Sequence, residues 1–517
     1  MNTDLFTESR NGNISEVASL LQNGANPNQY NTHGYTALHT ASELNHGDVV
    51  QILLENGAEP NIKSNDEHKI SPLGIASMRG HINIVSKLMR YSAEVNICGS
   101  NGLSPLYSAS HGGHFEIAKV LVQNRANVKV NVYGFYALHA ASKFGHSDIV
   151  KLLLENGADP NVVSTCTQGS TPLYLSCMNG HISNVEILVE HGANINTVAG
   201  QNCLSPLYIA SQNGHTAIVD FLLKNKVNVN SRCVNGITAL HAASERGNLS
   251  IINSLLENGS DINLQSSSGC SALYYASYSG KDETVSQLIH YGADINLCSN
   301  TGCSPFHTAV ENGHLPVISI LLTHGTDINL QTEAGVTALH LAAKKSNIKV
   351  IHILLRNHAD VNLSTSQDFI SPLHTASANG YFNVVQTLIQ NGANINHRSN
   401  TGITAIFFAS QKGQSNIVKY LLRNGADLNI CTMEGFSPLH ISCELGHKEV
   451  VDVLLQHNAD PFHCSNNGYN AFIFAFVKQE VDILGLLGLN CIRIWIRKLI
   501  LFVVIGFVAM ILAFLFD

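Results

Sequence analysis

One tetrapeptide recurs along this chain at nearly constant spacing. Thr36-Ala37-Leu38-His39 reappears as Thr238-Ala239-Leu240-His241 and as Thr337-Ala338-Leu339-His340. Variants of the same four residues begin at Ser71, Ser104, Tyr136, Thr171, Ser205, Ser271, Ser304, Ser371, Thr404, Ser437 and Asn470. Successive starts lie 32 to 35 residues apart. This period is typical of one small supersecondary unit copied along a stack, in which each copy buries its apolar face only against its neighbours.

The copy that begins at Gly236 illustrates the unit. After the tetrapeptide come the small pair Ala242-Ala243, which allows close helix packing, and Gly247, which can adopt the positive φ that ends a helix. Ile251, Ile252, Leu255 and Leu256 then form one face of a second helix. A second glycine and a polar stretch follow them. The pattern predicts a helix, a turn, a second helix and a turn-rich hairpin.

The repeat resembles the ankyrin repeat, with its T-P-L-H-x-A opening, its mid-repeat Gly-His and its closing Gly-Ala-Asp-x-Asn. The Gly-His pair occurs at Gly80-His81, Gly113-His114, Gly145-His146, Gly180-His181, Gly214-His215, Gly313-His314 and Gly446-His447. The resemblance implies an all-α, ankyrin-repeat solenoid with about 13–14 repeats in residues 31–480. Residues 1–30, which carry Glu8, Ser9 and Arg10, are expected to form a partial, polar capping repeat.

The C-terminal residues 499–516 differ from the repeats. They contain no charge, and fourteen of the eighteen are Leu, Ile, Val or Phe. As a helix they would be about 27 Å long, which predicts a single transmembrane helix. The alternative is an apolar helix that caps the array. Residues 481–498 form either a degenerate repeat or an interfacial juxtamembrane segment.

Three basic residues flank this segment, namely Arg493, Arg497 and Lys498. By the positive-inside rule they favour a tail-anchored protein whose repeats face the cytosol. The short anchor favours the endoplasmic reticulum as its membrane.

Composition argues against several classes of function. With charged residues at 13% and a net charge of −8, no basic face for nucleic acid is expected. The twelve cysteines show no framework spacing and predict reduced thiols. Most histidines occupy a repeated position, which indicates a structural role, and the sequence predicts no metal, no cofactor, no small-molecule substrate and no catalytic site.

Two sets of residues are candidates for partner binding, because ankyrin solenoids usually bind partners through the hairpin tips and the ends of the first helices. The residue before each tetrapeptide is generally apolar, as at Tyr35, Ile70, Leu103, Phe135, Leu204, Ile237, Val336, Ile370, Ile403, Phe436 and Tyr469. The positions before the mid-repeat glycine vary, and they include Lys143, Phe144, Arg246 and Lys344. The apolar row either forms a protein-binding face or packs on its own and neighbouring hairpins.

These observations predict a non-enzymatic scaffold that binds a protein partner and is held at a membrane by its C-terminal helix. Two alternatives stay open. The array is the cytosolic arm of a channel-like membrane protein whose remaining helices are missing from this sequence, or it is a soluble adaptor that recruits substrates.

Overall fold

The computed structural model describes residues 4–492 except 101, 133 and 166–168. The predicted membrane helix at 499–516 and its flanking Arg493, Arg497 and Lys498 therefore lie outside the described residues. Across the part that is described, no helix combines the length and the hydropathy that crossing a membrane requires. The chain divides into two compact units, Met1–Ser268 and Gly269–Asp517.

The first unit is a series of antiparallel helix pairs. The first helices of the pairs are α1 (Leu5–Asn11), α3 (Ala37–Glu43), α5 (Pro72–Arg79), α7 (Pro105–Gly112), α9 (Ala137–Phe144), α11 (Pro172–Asn179), α13 (Pro206–Asn213) and α15 (Ala239–Arg246). The second helices are α2 (Ile14–Gln22), α4 (Gly47–Glu55), α6 (Ile82–Arg90), α8 (Phe115–Gln123), α10 (Ser147–Glu155), α12 (Ile182–Glu190), α14 (Thr216–Lys224) and α16 (Leu249–Glu257).

The second unit repeats this arrangement. Its first helices are α17 (Ala272–Tyr278), α19 (Pro305–Asn312), α21 (Ala338–Lys344), α23 (Pro372–Asn379), α25 (Ala405–Gln411), α27 (Pro438–Glu444) and α29 (Ala471–Val477). Its second helices are α18 (Asp282–His290), α20 (Leu315–Thr323), α22 (Ile348–Arg356), α24 (Phe382–Gln390), α26 (Ser415–Arg423) and α28 (Lys448–Gln456). Residues 481–492 are also helical and follow α29 as its partner.

Each first helix begins and ends at residues that the repeat supplies. In α3 the Thr36 hydroxyl caps the backbone N–H of His39. In α15 the helix ends at Gly247, whose φ of 79° is left-handed and favours glycine. The glycine predicted to end the first helix is therefore confirmed at this position. Pro72 stands at the start of α5, where its missing N–H costs no hydrogen bond.

The core of each unit lies between the helix pairs. In α4 the side chains of Val49, Val50 and Leu53 are completely or almost completely buried, and Ile251, Ile252 and Leu255 of α16 repeat this pattern. Burying one such side chain stabilises the fold by roughly 1.5–3 kcal/mol. The small residue Ala41 of α3 is fully buried too, which lets the first helices of neighbouring repeats lie close together.

Most hairpins contain turns only, and one contains strands. β1 (Asn131–Val132) pairs antiparallel with β2 (Phe135–Tyr136). A single bridge joins Ala199 and Leu204 in another hairpin. The hairpins place the residue before each tetrapeptide beside the end of the first helix, where the candidate binding residues are found.

Hydrogen bonds join successive repeats at several places, two of which involve residues of the repeat motif. The mid-repeat histidine bonds to a carbonyl at the end of the preceding first helix, as in His81 Nε2 to Glu43 O at 2.9 Å. The closing asparagine bridges to the next repeat, since Asn28 donates to Gly57 O at 3.0 Å and accepts from the Glu59 N–H at 2.8 Å. The helix carbonyl would otherwise lack a partner, so these bonds fix the register of neighbouring repeats.

Candidate functional site

The tetrapeptide histidines are structural, as their repetition predicts. The Thr36 N–H donates to His39 Nδ1 at 3.2 Å, and the neutral ring therefore carries its proton on Nε2 and donates to Ile70 O at 3.0 Å. His139 reaches Ser170 O at 3.1 Å, and His340 reaches Ile370 O at 2.9 Å. Each of these rings ties its own helix start to the following hairpin.

Burial keeps these histidines neutral. It lowers the pKa of His39, His139 and His374 to about 4, although bonds to backbone carbonyls act in the opposite direction. A charged imidazole would also lose the Nδ1 acceptor that the N–H of the helix-capping residue requires. These histidines are thus part of the fold rather than a ligand site.

In the first unit, a groove of about 320 Å³ brings the two predicted sets of residues together. The apolar side chains of Tyr35, Ile70 and Leu103 come from three successive hairpins, and Met78 comes from the end of α5. Met78 is 40% exposed, whereas Ile70 is buried. The apolar side chains of the hairpin row are therefore partly covered by their neighbours and do not form a fully exposed apolar surface.

An ion pair and a bonded tyrosine mark the edge of this groove. Arg79 Nη2 lies 2.6 Å from Glu43 Oε1, and both side chains are partly exposed. Burial raises the pKa of Tyr35, and the nearby Asp66 carboxylate, to which the phenol bonds, raises it further. The groove thus combines an apolar floor with a few fixed polar groups, as recognition sites commonly do.

Two repeats further along, aromatic rings from the same positions form an exposed cluster. Phe135 of β2 lies 6.1 Å from Tyr107, and Phe144 lies 4.4 Å from His111, measured between ring centroids. The Lys143 ammonium lies 5.4 Å from the centroid of Phe144. Phe144 is 42% exposed. The cluster therefore unites three of the predicted residues with two that the prediction did not include.

The second unit has a groove of about 520 Å³ at the equivalent positions. Ile403 and Phe436 come from two hairpins, and Phe407 and Ile441 come from α25 and α27. The ring of Phe436 also lies 5.5 Å from that of Phe474. This groove carries Glu434 and Glu444 on its border, whereas the groove in the first unit carries an arginine.

The other predicted residues lie outside both grooves. Ile237 and Val336 are half-buried on their hairpins, and Lys344 is exposed at the end of α21. Arg246 lines a shallow depression of about 610 Å³ with Asn213 and Asn248, which is polar in character. The role of these four residues in partner binding stays a prediction.

Sequence reasoning missed Tyr107 and His111 as members of a surface cluster. A signal was available for the tyrosine, because it replaces the structural histidine at the fourth tetrapeptide position, as do Tyr174, Tyr208 and Tyr274. The main-chain N–H of Tyr107 bonds to the Ser104 hydroxyl at 3.1 Å, so the helix keeps its cap without the histidine. The ring lies instead 6.3 Å from His111 and 6.1 Å from Phe135, measured between centroids.

The described residues do not assemble a metal site. No group of three or more His, Cys, Asp or Glu side chains there could hold a metal ion. Burial raises the pKa of Cys177 and Cys443, for Cys443 to about 12, which makes these thiols poor nucleophiles.

Comparisons with known proteins agree with this architecture. A family model described as ankyrin repeats in three copies matches residues 2–64, 73–164, 127–199, 161–233, 198–266, 273–365, 339–432 and 406–494. An ankyrin repeat protein of fowlpox virus, FPV222, is 34% identical over 128 residues, which are 25% of this chain and 17% of the viral protein. The match therefore spans only about a sixth of that relative.

Two further matches cover most of the length of the other protein. The mouse cyclin-dependent kinase 4 inhibitor B is 30% identical over 117 residues, which are 23% of this chain and 88% of the inhibitor. The crystal structure of the ankyrin repeat domain of Bcl-3 is 28% identical and covers 43% of this chain and 99% of that domain, with a TM-score of 0.39. Because the family model matches most of its length, this chain belongs to the ankyrin repeat family.

Proposed function

We propose that this protein is a non-enzymatic scaffold that binds a protein partner in the grooves between its hairpins and first helices. The observation that carries the proposal is the groove in the first unit. Side chains from three hairpins and from the ends of α3 and α5 line one apolar cleft with an arginine at its edge. Partly exposed aromatic and apolar groups beside an arginine are enriched where proteins bind proteins.

The mouse relative supports a protein as the ligand, since its name identifies it as the inhibitor of a kinase. Grooves at equivalent positions differ in charge between the two units, with the ion pair of Arg79 and Glu43 in one and Glu434 and Glu444 in the other. Such variation lets a single repeat scaffold select different segments of a partner.

The experiment compares partners retained by the full chain and by surface variants. Met78→Glu and Phe144→Glu place a charge in the groove and in the aromatic cluster without disturbing buried positions. Tyr91→Glu is the matched control, because Tyr91 is 37% exposed, close to the 40% of Met78, but lies at the end of the second helix α6. We expect at least about a tenfold loss of specific partners from the two surface variants and none from the control.

Two results would contradict this assignment. Partners that are retained by both Met78→Glu and Phe144→Glu would show that binding occurs elsewhere. Equal losses in Tyr91→Glu would show that the substitutions act through the fold.

The second part of the proposal is a membrane tether at 499–516, with the repeats facing the cytosol and the endoplasmic reticulum as the favoured membrane. Its support is the sequence, in which Arg493, Arg497 and Lys498 precede eighteen uncharged residues. Deleting residues 499–517 should move the protein from the membrane fraction to the soluble fraction while its helical circular dichroism persists. A truncated protein that still sediments with carbonate-washed membranes would refute the tether.

A further inference from the structure

The last repeat of the array exposes an apolar surface. In α29, Ala471 and Ala475 are fully buried, whereas Phe476 is 72% exposed and Val477 points to solvent as well. In the helix at 481–492, Ile483 and Leu487 are fully buried, and Val481, Leu489 and Ile492 are exposed. At 100° per residue these last three fall within one 80° sector of the helix, on a different side from the buried pair.

The two acidic side chains of this segment contact the preceding repeat, and a third carboxylate, that of Asp452 in α28, borders the groove that Leu489 and Ile492 line. Asp482 forms an ion pair with Lys448 of α28, with Nζ and Oδ2 2.9 Å apart. The Glu480 carboxylate lies beside the backbone of Gly446. A side chain at position 446 would collide with it, because a Cβ built there would lie 2.6 Å from Glu480 Oε1. Both carboxylates therefore lie against the preceding repeat. Gly485 lies in the same helix as the exposed apolar side chains and faces open space. Lys478, which is exposed, supplies a positive charge between the two helices.

The chain that continues from this surface indicates what covers it. Six residues, 493–498, separate Ile492 from the apolar segment at 499–516, and three of the six are basic. Six extended residues reach at most roughly 20–22 Å. If the apolar segment enters a bilayer, Ile492 must therefore lie within about that distance of the hydrocarbon. Val481, about 17 Å away along the helix, lies near the lipid headgroups only if the helix runs along the membrane surface.

We propose that the end of the array formed by Phe476, Val477, Val481, Leu489 and Ile492 lies in the interfacial layer of a bilayer that contains anionic lipids. This inference rests on the membrane tether proposed above and adds a second, monotopic contact to it. The apolar groups would enter the headgroup and acyl boundary to a depth of about 5–10 Å, with Lys478 at the lipid phosphates. The contact would fix the orientation of the last repeat relative to the membrane, whereas a tether alone would leave the repeats free to rotate.

Tryptophan fluorescence in vesicles tests the contact on the full chain. The single native tryptophan, Trp495, is replaced by phenylalanine, and one reporter is introduced at a time as Phe476→Trp, Val481→Trp or Tyr278→Trp. Tyr278 is the control, since it is 52% exposed at the end of α17, in a repeat far along the chain from the last one. The vesicles contain brominated phosphatidylcholine and phosphatidylserine, and unbrominated vesicles provide the reference.

Quenching by bromine should reduce the emission of the Phe476→Trp and Val481→Trp proteins about twofold and leave the Tyr278→Trp protein unchanged, because bromine quenches only at short range within the bilayer. A protein that floats with the vesicles but shows no quenching at either position would overturn the interfacial contact while leaving the tether intact. Energy transfer between labelled copies in that case would assign the surface to a second copy. A protein that does not float with vesicles would overturn the tether and this inference together.

Discussion

The first and the last helix pair each have only one neighbouring repeat, and they differ in the side chains that they expose. At the first pair, Arg10 and Glu16 are exposed and Ile14 is 43% exposed, whereas Glu8 and Ser9, expected on a polar outer face, are buried against the next repeat pair. At the last pair, Phe476 and Val481 are more than 70% exposed. A terminal repeat in water needs a polar outer face. The difference is that the first pair exposes mainly polar side chains, whereas the last pair exposes large apolar ones.

Several interior repeats carry the structural histidine and both end pairs lack it, so acid should affect the repeats with a histidine most strongly. The capping positions at the ends are followed by Leu5-Phe6-Thr7 and Ala471-Phe472-Ile473, so neither end has a histidine in the fourth position. Interior repeats depend on neutral His39, His139 and His374, each with a pKa of about 4. Since these folded-state values lie below the unfolded value, stability is fully present above about pH 6.5 and declines as the pH falls toward 4.

We expect a loss on the order of 3 kcal/mol for each of these histidines between pH 7 and pH 4. Hydrogen exchange at pH 7 and at pH 4.5, corrected for intrinsic rates, should show interior helices α3, α9 and α23 losing protection before α1 and α29. The matched variant carries His39→Tyr, His139→Tyr and His374→Tyr, the residue that other repeats hold there, and its stability should depend less on pH. Equal acid sensitivity in the variant and the natural chain would contradict the role of the histidines.

Truncating a core leucine should separate the interior from the last pair. Leu321 of α20 and Leu487 are both fully buried. Leu321→Ala should reduce the free energy of unfolding by about 2–5 kcal/mol, because a cavity forms between packed repeats. Leu487→Ala should instead release the helix at 481–492 locally, with little change in the main urea transition. A large shift of that main transition by Leu487→Ala would show that the last pair is integral to the stack.

Removing the helix caps at the two ends should give the smallest effects. The Thr7 N–H donates to the Asp4 carboxylate at 2.7 Å, and the Ile473 N–H donates to Asn470 Oδ1 at 3.2 Å. Asp4→Ala and Asn470→Ala should each cost about 0.5–1 kcal/mol. The hydrogen bond with Thr7 also lowers the pKa of Asp4, so its contribution should fade in acid below its usual value of 3.8, whereas that of Asn470 should not. Urea titrations at pH 6 and pH 2.5 check the contrast.

The sequence predicted the helix pairs well because their causes are local. Gly247 ends α15, and Ile251, Ile252 and Leu255 form a buried helical face, as the spacing indicates. Exposure of the hairpin row was beyond prediction, because it depends on how far a neighbouring repeat covers each side chain. Ile70 is buried, and Tyr469, at the equivalent position of the last repeat, is 49% exposed.

The aromatic cluster was unpredictable for a related reason. Phe135 and Phe144 lie in one repeat, and Tyr107 and His111 lie in the preceding one, so their contacts arise only when the repeats are packed in register. Tyr107 and Phe135 are 28 residues apart in sequence, and His111 and Phe144 are 33 apart, and the stacking brings each pair together. A period identifies the scaffold, but it does not state which variable positions meet on its surface.

A reconstruction by electron cryomicroscopy of the full chain in an anionic lipid nanodisc tests the account most directly. The account predicts helix pairs throughout residues 5–492, with Phe476 and Val481 at the level of the lipid headgroups and the groove of Tyr35 and Met78 open to solvent. A last repeat held away from the disc, or a groove covered by lipid, would contradict it.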